Sequence, residues 1–257
     1  MRTRPGSPGA DRLDHPVPAG IFLRSILFNL LFYLTLLIYL IIALPTFLLP
    51  PRAIVGMAKF WGRSNLWLLR IVCGLDVAFS GVEKIPSGPL LVAAKHQSIW
   101  ETFALLWLFD APTFIVKREL MWVPLFGWFM WKGGMVAVDR DARRRALTAM
   151  TRRACEALRN RRQIVIFPEG TRVAPGDPPD YKSGIALLYA EGGVPCLPIA
   201  HNSGLFWGRR SFLRYPGTVR VEILDPIPPG LPKEQFLERL QHDIETATMR
   251  LIAQAKA

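Results

Sequence analysis

The sequence has few of the residues that build metal sites and disulfide frameworks. Its 257 residues include three cysteines and four histidines. Cys73, Cys155 and Cys196 are scattered and odd in number, so we expect buried free thiols in a reduced compartment. The histidines are isolated and no His-Glu-x-x-His pair occurs, which argues against zinc catalysis. We therefore expect no metal site and no resident cofactor.

Acidic residues are scarce as well. The chain has 20 Asp and Glu against 32 Lys and Arg, a formal net charge of +12. Such a charge indicates an anionic partner, and nucleic acid is the usual one. However, 51% of the residues are hydrophobic and eight are Trp, which argues against a nucleic-acid partner. We expect instead a protein at an anionic membrane surface, or one that works on anionic substrates.

Charge is missing altogether from residues 25–51, between Arg24 and Arg52. As a helix, residues 25–44 alone would cover about 30 Å, the thickness of a bilayer core. The run is longer than the apolar core of a secretory signal, and no convincing cleavage site follows it. We therefore expect this segment to be retained and to associate with a membrane.

Three prolines interrupt the apolar segment, Pro45, Pro50 and Pro51, and they permit a second helix over residues 53–75. Its basic residues share one face and its apolar residues the other, which is typical of an interfacial helix. Lys and Arg flank both ends of the apolar run, so charge asymmetry gives no orientation. Two geometries remain open: a single span, or a helical hairpin that dips into one leaflet.

Beyond residue 75 short apolar runs alternate with amphipathic stretches. Strands are predicted over residues 77–79, 90–94, 113–116, 135–138, 164–167, 196–200 and 219–223. Residues 99–109 are predicted to be helical, and residues 143–159 and 233–255 carry apolar stripes at helical spacing. This alternation predicts an α/β sheet covered by helices. The expected organisation is a flexible basic N-terminus over 1–20, a two-helix membrane segment over 21–75 and an α/β domain over 76–257.

The most informative pair of residues is His96 and Glu101. A histidine can take a proton from a hydroxyl when a carboxylate fixes its tautomer and stabilises the imidazolium. On a regular helix, residues five apart point about 140° away from each other. The pair therefore requires His96 in the loop after a strand and Glu101 in the first turn of the next helix. On these two residues alone, a hydrogen-bonded loop histidine beside an incidental glutamate is the simpler interpretation.

Basic residues follow three of the predicted strands. Lys117 comes directly after one apolar run, and Arg140 follows another after Asp139. Residues 164–172, Ile-Val-Ile-Phe-Pro-Glu-Gly-Thr-Arg, end in Arg172. The planar donor fork of arginine suits phosphate. Because the carboxyl ends of parallel strands meet at one edge of a sheet, these residues could converge. Surface solvation is the simpler explanation for Lys117, but Pro-Glu-Gly-Thr-Arg is an unusual composition for a mere connector.

Together these segments resemble the four motifs of the glycerolipid acyltransferases. Residues 95–101, Lys-His-Gln-Ser-Ile-Trp-Glu, are similar to motif I, usually written His-x-x-x-x-Asp, and residues 134–140 to motif II with its terminal Arg. Residues 167–172, Phe-Pro-Glu-Gly-Thr-Arg, match motif III, and residues 194–200 resemble the apolar strand of motif IV. All four occur in the family's order within residues 75–226. The preceding helices resemble the membrane-docking two-helix module of bacterial members.

The resemblance implies a mixed sheet flanked by helices and a defined reaction. An acyl chain would pass from an acyl-CoA or acyl-carrier-protein thioester, the co-substrate, to the 2-hydroxyl of 1-acyl-sn-glycerol-3-phosphate (lysophosphatidic acid), giving phosphatidic acid. His96 would be the general base, and Glu101 stands where the family usually has Asp, so one extra methylene must be accommodated. The implied substrate contacts are Lys117, Arg140 and Arg172 at the phosphate, and Glu169, Gly170 and Thr171 around the glycerol. The implied location is the bacterial inner membrane, with the site on the cytoplasmic side.

Three other functions share some of these sequence features. A serine esterase would use a similar histidine–acid pair, but no Gly-x-Ser-x-Gly elbow occurs, and Ser98 is better explained as a capping residue. A lipid-binding protein without catalysis would lose His96 or its acid, and both are present. An acyltransferase for another lysolipid, such as a lyso-ornithine lipid or a lysophospholipid, would share motif I, although the three basic residues favour a phosphate-bearing acceptor.

Arginine is dense between residues 140 and 162, where nine arginines stand against two acidic residues. The simpler interpretation is the solvated face of a helix. The alternative is a surface that receives anionic lipid headgroups or an acidic acyl carrier.

Overall fold

A computed structural model describes residues 17–139 and 143–255 of the chain. Most of the predicted basic N-terminus, residues 1–16, lies outside the described residues, and so does Arg140. The described residues form a seven-stranded sheet with helices on both faces. The predicted α/β class, with a mixed sheet flanked by helices, is confirmed.

Five neighbouring strands of the sheet are parallel, and the two strands on one side of them run in the opposite direction. The strands are β1 (Leu75–Ser80), β2 (Leu90–Ala94), β3 (Pro112–Lys117), β4 (Val136–Val138), β5 (Gln163–Ile166), β6 (Cys196–His201) and β7 (Gly217–Ile223). Their order is β1-β7-β6-β2-β5-β3-β4. Strands β6, β2, β5, β3 and β4 are mutually parallel, whereas β7 is antiparallel to β6 and parallel to β1. Every residue of β2 and β5 is buried, as expected for central strands of a parallel sheet.

Helices cover both faces of this sheet. They are α1 (Ala19–Ile42), α2 (Pro51–Leu68), α3 (Trp100–Ala104), α4 (Phe126–Lys132), α5 (Arg143–Arg159), α6 (Gly184–Gly192) and α7 (Lys233–Gln254). Successive residues of a strand point to opposite faces, and β2 shows how this divides the core. Leu91 and Ala93 pack in the cluster that contains buried residues of α5, α6 and α7. Val92 and Ala94 pack in the cluster that contains buried residues of α1 and α3.

All seven predicted strands are present, and two predicted helices differ from expectation. The helix predicted over 53–75 ends at Leu68 and continues as one π turn, because Gly74 adopts a left-handed conformation (φ 66°) and Leu75 already pairs with β7. The helix predicted over 99–109 stops at Ala104, and a 3-10 turn at Leu106–Leu108 leads the chain toward β3. Helices α4 and α6 were not predicted.

Helix α1 packs on the α/β domain by one face. Phe28 and Phe32 are buried in the core cluster on that side of the sheet. Arg214 lies beneath them: its backbone N–H donates to Ser25 Oγ (2.9 Å), and its Nη2 donates to Asn29 Oδ1 (2.8 Å). Most of the other apolar side chains of α1 are exposed. By length and composition α1 could cross a membrane, and within residues 17–139 and 143–255 it is the single helix of this kind.

Candidate active site

The loop after β2 places His96 and Glu101 in hydrogen-bond contact. The chain leaves the sheet after Ala94, and α3 begins at Trp100, so that Glu101 lies in the first helical turn. His96 Nδ1 and Glu101 Oε1 are 2.8 Å apart. The imidazole is 14% exposed and the carboxylate 0%, so the histidine separates the buried acid from the surface. The extra methylene of Glu101 is therefore accommodated without loss of the contact.

Glu101 is surrounded by hydrogen-bond donors. Besides His96, its Oε1 accepts the backbone N–H groups of Gln97 and Ser98, each at 2.8 Å, and Oε2 accepts Ser203 Oγ at 3.1 Å. Burial disfavours the charged carboxylate, but the hydrogen bond with His96 and the other favourable interactions outweigh it and hold the pKa of Glu101 below its usual range. An ionised Glu101 orients the His96 ring with its proton on Nδ1. The unprotonated Nε2 then points away from the acid.

Two contacts fix the position of His96 from the segment after β5. The imidazole stacks on Phe167, with ring centroids 4.2 Å apart and planes inclined by 14°. The backbone N–H of Val173 donates to the His96 carbonyl oxygen at 2.8 Å. Sequence analysis did not assign these roles, although both residues belong to or adjoin the Phe-Pro-Glu-Gly-Thr-Arg segment.

Glu169 lies inside the protein, beneath the loop that carries His96. Its Oε2 accepts the backbone N–H of His96 at 2.9 Å, and its Oε1 accepts Lys95 Nζ at 2.7 Å. The residue is 1% exposed. Burial raises the pKa of Glu169, and the neighbouring Lys95 opposes this effect. The resemblance implied a glycerol contact for this residue, whereas both of its carboxylate oxygens bind the motif I loop.

The predicted phosphate ligands that the structure describes lie at the same edge of the sheet as His96. Lys117 ends β3, and Arg172 follows β5, the strand between β2 and β3. Lys117 is half exposed and pairs with exposed Glu119 at 2.8 Å, a surface ion pair of little energetic value that a phosphate could replace. Gly170 has a left-handed backbone (φ 63°), which lets the chain turn back, and Thr171 is exposed beside it. Arg140 lies outside the described residues.

Part of the chain is similar to a known protein family. Residues 76–202 match the family model described as Acyltransferase. The matched segment, just under half of the chain, therefore resembles an acyltransferase domain. These residues contain the His96–Glu101 pair, the Glu169 segment and all five parallel strands.

The chain is similar to several proteins whose names state an activity. It is 39% identical over 163 residues to the 1-acyl-sn-glycerol-3-phosphate acyltransferase of Pseudomonas aeruginosa, and the alignment covers 63% of each chain. It is 27% identical over 227 residues to human 1-acyl-sn-glycerol-3-phosphate acyltransferase alpha, which covers 85% of this chain and 80% of the relative. The alignment thus spans slightly less than two thirds of the Pseudomonas protein.

A solved structure has the same fold. The crystal structure of the 1-acyl-sn-glycerophosphate (LPA) acyltransferase PlsC from Thermotoga maritima superposes with a TM-score of 0.76 at 25% sequence identity. The match covers 90% of this chain and 97% of that chain.

The site also has supports at the end of β6, outside the four sequence motifs. Ser203, which binds Glu101, lies two residues after the last residue of β6. His201 at the end of that strand is fully buried, and its Nε2 lies 2.7 Å from the Lys95 carbonyl oxygen. Burial lowers the pKa of His201, so it is neutral and donates its Nε2–H to that carbonyl. Among the described residues no group of three or more His, Cys, Asp or Glu side chains could hold a metal ion.

Proposed function

We propose that this chain transfers an acyl chain from an acyl-CoA or acyl-carrier-protein thioester to the 2-hydroxyl of 1-acyl-sn-glycerol-3-phosphate, with phosphatidic acid as the product. The observation that carries the proposal is the His96–Glu101 pair, 2.8 Å apart, at the sheet edge where Lys117 and Arg172 also lie. The names of the relatives support the same acceptor.

In the proposed reaction His96 is the general base. Its Nε2 takes the proton of the glycerol 2-hydroxyl while the hydroxyl oxygen attacks the thioester carbonyl carbon. The tetrahedral oxyanion then collapses, the carbon–sulfur bond breaks, and the thiolate takes the proton back from the imidazolium. Glu101 stabilises the imidazolium through Nδ1–H. General-base assistance of this kind contributes about 10²- to 10⁴-fold, so positioning and stabilisation of the oxyanion must supply the rest.

The acceptor phosphate is assigned to Lys117, Arg140 and Arg172. Lysine offers a point charge and arginine a planar fork, and both suit a phosphate dianion. Gly170 and Thr171 lie between Glu169 and Arg172 and are assigned to the glycerol. Glu169 is assigned an indirect role, since its oxygens are engaged with Lys95 and His96.

The proposed membrane contact has two parts. One is the exposed apolar face of α1. The other is the aromatic surface, which we define as Trp122, Trp128 and Trp131, exposed by 73%, 56% and 72%. Trp122 ends the 3-10 turn Arg118–Trp122 that follows β3, and Trp128 and Trp131 lie on α4. Trp prefers the interface between bilayer and water, so acyl chains could stay in the bilayer while the phosphate reaches the site. The inner membrane, approached from the cytoplasmic side, remains part of the proposal.

Turnover with defined acceptors tests the proposed function. Thiol release by the purified full chain is measured in vesicles that carry lysophosphatidic acid, lysophosphatidylcholine or a lyso-ornithine lipid. The donors are the thioesters acyl-CoA and acyl-acyl carrier protein. Wild type is compared with His96→Ala and with the exposed control His242→Ala. We expect turnover with lysophosphatidic acid, its loss in His96→Ala and no change in His242→Ala. Preference for a phosphate-free acceptor would contradict the phosphate assignment, and activity in His96→Ala would contradict the mechanism.

A further inference from the structure

A buried polar cluster connects the C-terminal helix to the loop that carries His96. Lys95 Nζ donates to Glu169 Oε1 at 2.7 Å and to both carboxylate oxygens of Glu245 at 2.7 and 2.9 Å. The Tyr181 hydroxyl donates to Glu245 Oε1 at 3.0 Å. The side chains of Lys95 and Glu169 are 3% and 0% exposed, and that of Glu245 is 22% exposed.

The four members of the cluster come from four different segments. Lys95 follows β2, Glu169 follows β5, and Tyr181 lies before α6. Glu245 lies on α7, outside the residues that match the acyltransferase family. Helix α7 packs on the domain by its buried apolar face. The backbone at Glu245 is therefore fixed, and its carboxylate can hold the Lys95 ammonium in place.

The contacts form a continuous path from α7 to the backbone of His96. Glu245 binds the Lys95 ammonium, Lys95 binds one oxygen of Glu169, and the other oxygen of Glu169 accepts the His96 N–H. Within this path one buried cation is shared by two carboxylates. A buried charge is tolerated only when it is paired, so removal of any charged member unbalances the others. The Tyr181 hydroxyl donates a further hydrogen bond to the carboxylate of Glu245, the member of the path farthest from His96.

We propose that Glu245 and Tyr181 are positioning residues that act through Lys95 and Glu169 to hold the His96 backbone where its imidazole meets the acceptor hydroxyl. This inference rests on the proposed function. Neither residue belongs to the four motifs, and neither contacts the His96 ring. Their effect is therefore expected on kcat and not on the KM for the acceptor.

Isosteric variants measure the strength of this path. Glu245→Gln removes the outer charge and keeps the side-chain shape, and we expect kcat to fall on the order of tenfold, because displacements below 1 Å at a catalytic group have effects of this size. Tyr181→Phe removes one hydrogen bond from Glu245 and should lower kcat less, by roughly threefold. The KM for lysophosphatidic acid should stay within twofold in both. Glu238→Gln is the matched control, because Glu238 is exposed and lies two turns earlier on the same helix.

A double variant separates a linked path from independent structural effects. Lys95→Met leaves Glu169 and Glu245 without their cation and should lower kcat by about 100-fold or more. Addition of Glu245→Gln removes one of the two unpaired charges, so Lys95→Met/Glu245→Gln should be more active than Lys95→Met alone. Independent residues would give multiplied losses instead.

Wild-type turnover is measured first, so that the two proposals fail separately. No turnover with any acceptor would overturn the proposed function and this inference together. Wild-type turnover with multiplied losses in the double variant, or with an unchanged kcat in Glu245→Gln, would overturn the inference alone. Folding of each variant is checked by its thermal midpoint. A Glu245→Gln protein that melts like wild type and loses kcat without a change in KM would support the positioning role.

Discussion

Glu101 shows how much a single site residue could be inferred before its surroundings were known. Its type and its spacing from His96 predicted a contact through the first turn of a helix, and the contact is present. Its partner Ser203 could not be predicted, because Ser203 is 102 positions away and reaches Glu101 only through the order of strands in the sheet. The inward direction of Glu169 escaped prediction for the same reason.

At this scale the length of the Glu101 side chain can be tested. Glu101→Asp withdraws the carboxylate by one methylene while its backbone stays fixed in α3, so the hydrogen bond with His96 lengthens or breaks. We expect kcat to fall on the order of 10²-fold, and Glu101→Gln, which loses the charge, to fall by up to about 10⁴-fold. Steady-state kinetics in vesicles measures both. Equal activity of Asp and wild type would show that Glu101 is not held as tightly as its four hydrogen bonds indicate.

The two buried glutamates should respond to pH with opposite sign. The pKa of Glu101 is lowered in the folded protein, so its charge adds stability above the unfolded value of about 4.3, and this stability is lost as the pH falls through the folded value. The pKa of Glu169 is raised by burial, so its stability is greatest below about 4.3 and is lost as the pH rises through the folded value.

Urea unfolding from pH 3 to pH 7 can resolve this difference. Below about pH 4.3, the difference in unfolding free energy between wild type and Glu101→Gln should grow as the pH rises. Above about pH 4.3, the difference between wild type and Glu169→Gln should shrink as the pH rises. The exposed Glu238→Gln provides the baseline. Slopes of the same sign for both glutamates would contradict the assigned pKa directions.

At the scale of elements, the apolar length of α1 was predicted and its docking was not. Hydropathy identifies a segment long enough for a bilayer, but it does not reveal that Ser25 and Asn29 bind Arg214 from the loop before β7. Arg214 is 4% exposed, and its guanidinium carbon lies 3.8 Å from the centroid of the Trp207 ring. These contacts join α1 to the domain. They favour a helix that stays packed on the protein over a helix that crosses the bilayer without contact to the domain.

Removal of Arg214 should therefore loosen α1. Arg214→Ala loses a cation–π contact of up to about 2 kcal/mol and hydrogen bonds of about 1 kcal/mol each. We expect a lower thermal midpoint in detergent and faster proteolysis between α1 and α2. Arg209→Ala, an exposed change in the same loop, should leave both unchanged. Unaltered proteolysis in Arg214→Ala would mean that the Arg214 side chain does not hold α1 on the domain.

At the scale of the whole molecule, composition predicted a basic protein with membrane affinity, but not where the affinity lies. The excess of Trp was visible in the sequence, yet its distribution depends on packing: Trp100 is buried under the sheet, whereas the aromatic surface is exposed around α4. Arginine density was equally ambiguous, since Arg152 and Arg153 are exposed on α5 while Arg162 binds the Pro112 carbonyl oxygen inside the domain. Only the folded structure distinguishes the exposed arginines from those that bind groups inside the domain.

The aromatic surface gives the last prediction. The triple variant Trp122→Ala/Trp128→Ala/Trp131→Ala removes the exposed apolar area of this surface and leaves α1 intact. Burial of one large apolar side chain is worth about 1.5–3 kcal/mol, and about 1.4 kcal/mol is tenfold in affinity. Turnover of an acceptor diluted in vesicles should therefore fall at least about tenfold, while turnover of the same acceptor in detergent should not change.

The depth of the tryptophans in the bilayer and the turnover of a matched control variant are measured as well. Lipids brominated near the headgroup should quench the fluorescence of wild type more than that of the triple variant, because the three Trp would lie at the interface. Met249→Ala removes an apolar side chain of similar exposure, 56%, from α7, and should leave vesicle turnover unchanged. An equal loss in vesicles and in detergent would place these tryptophans at the bound substrate and not at the bilayer. Equal quenching of both proteins would leave α1 as the part of the molecule that meets the membrane.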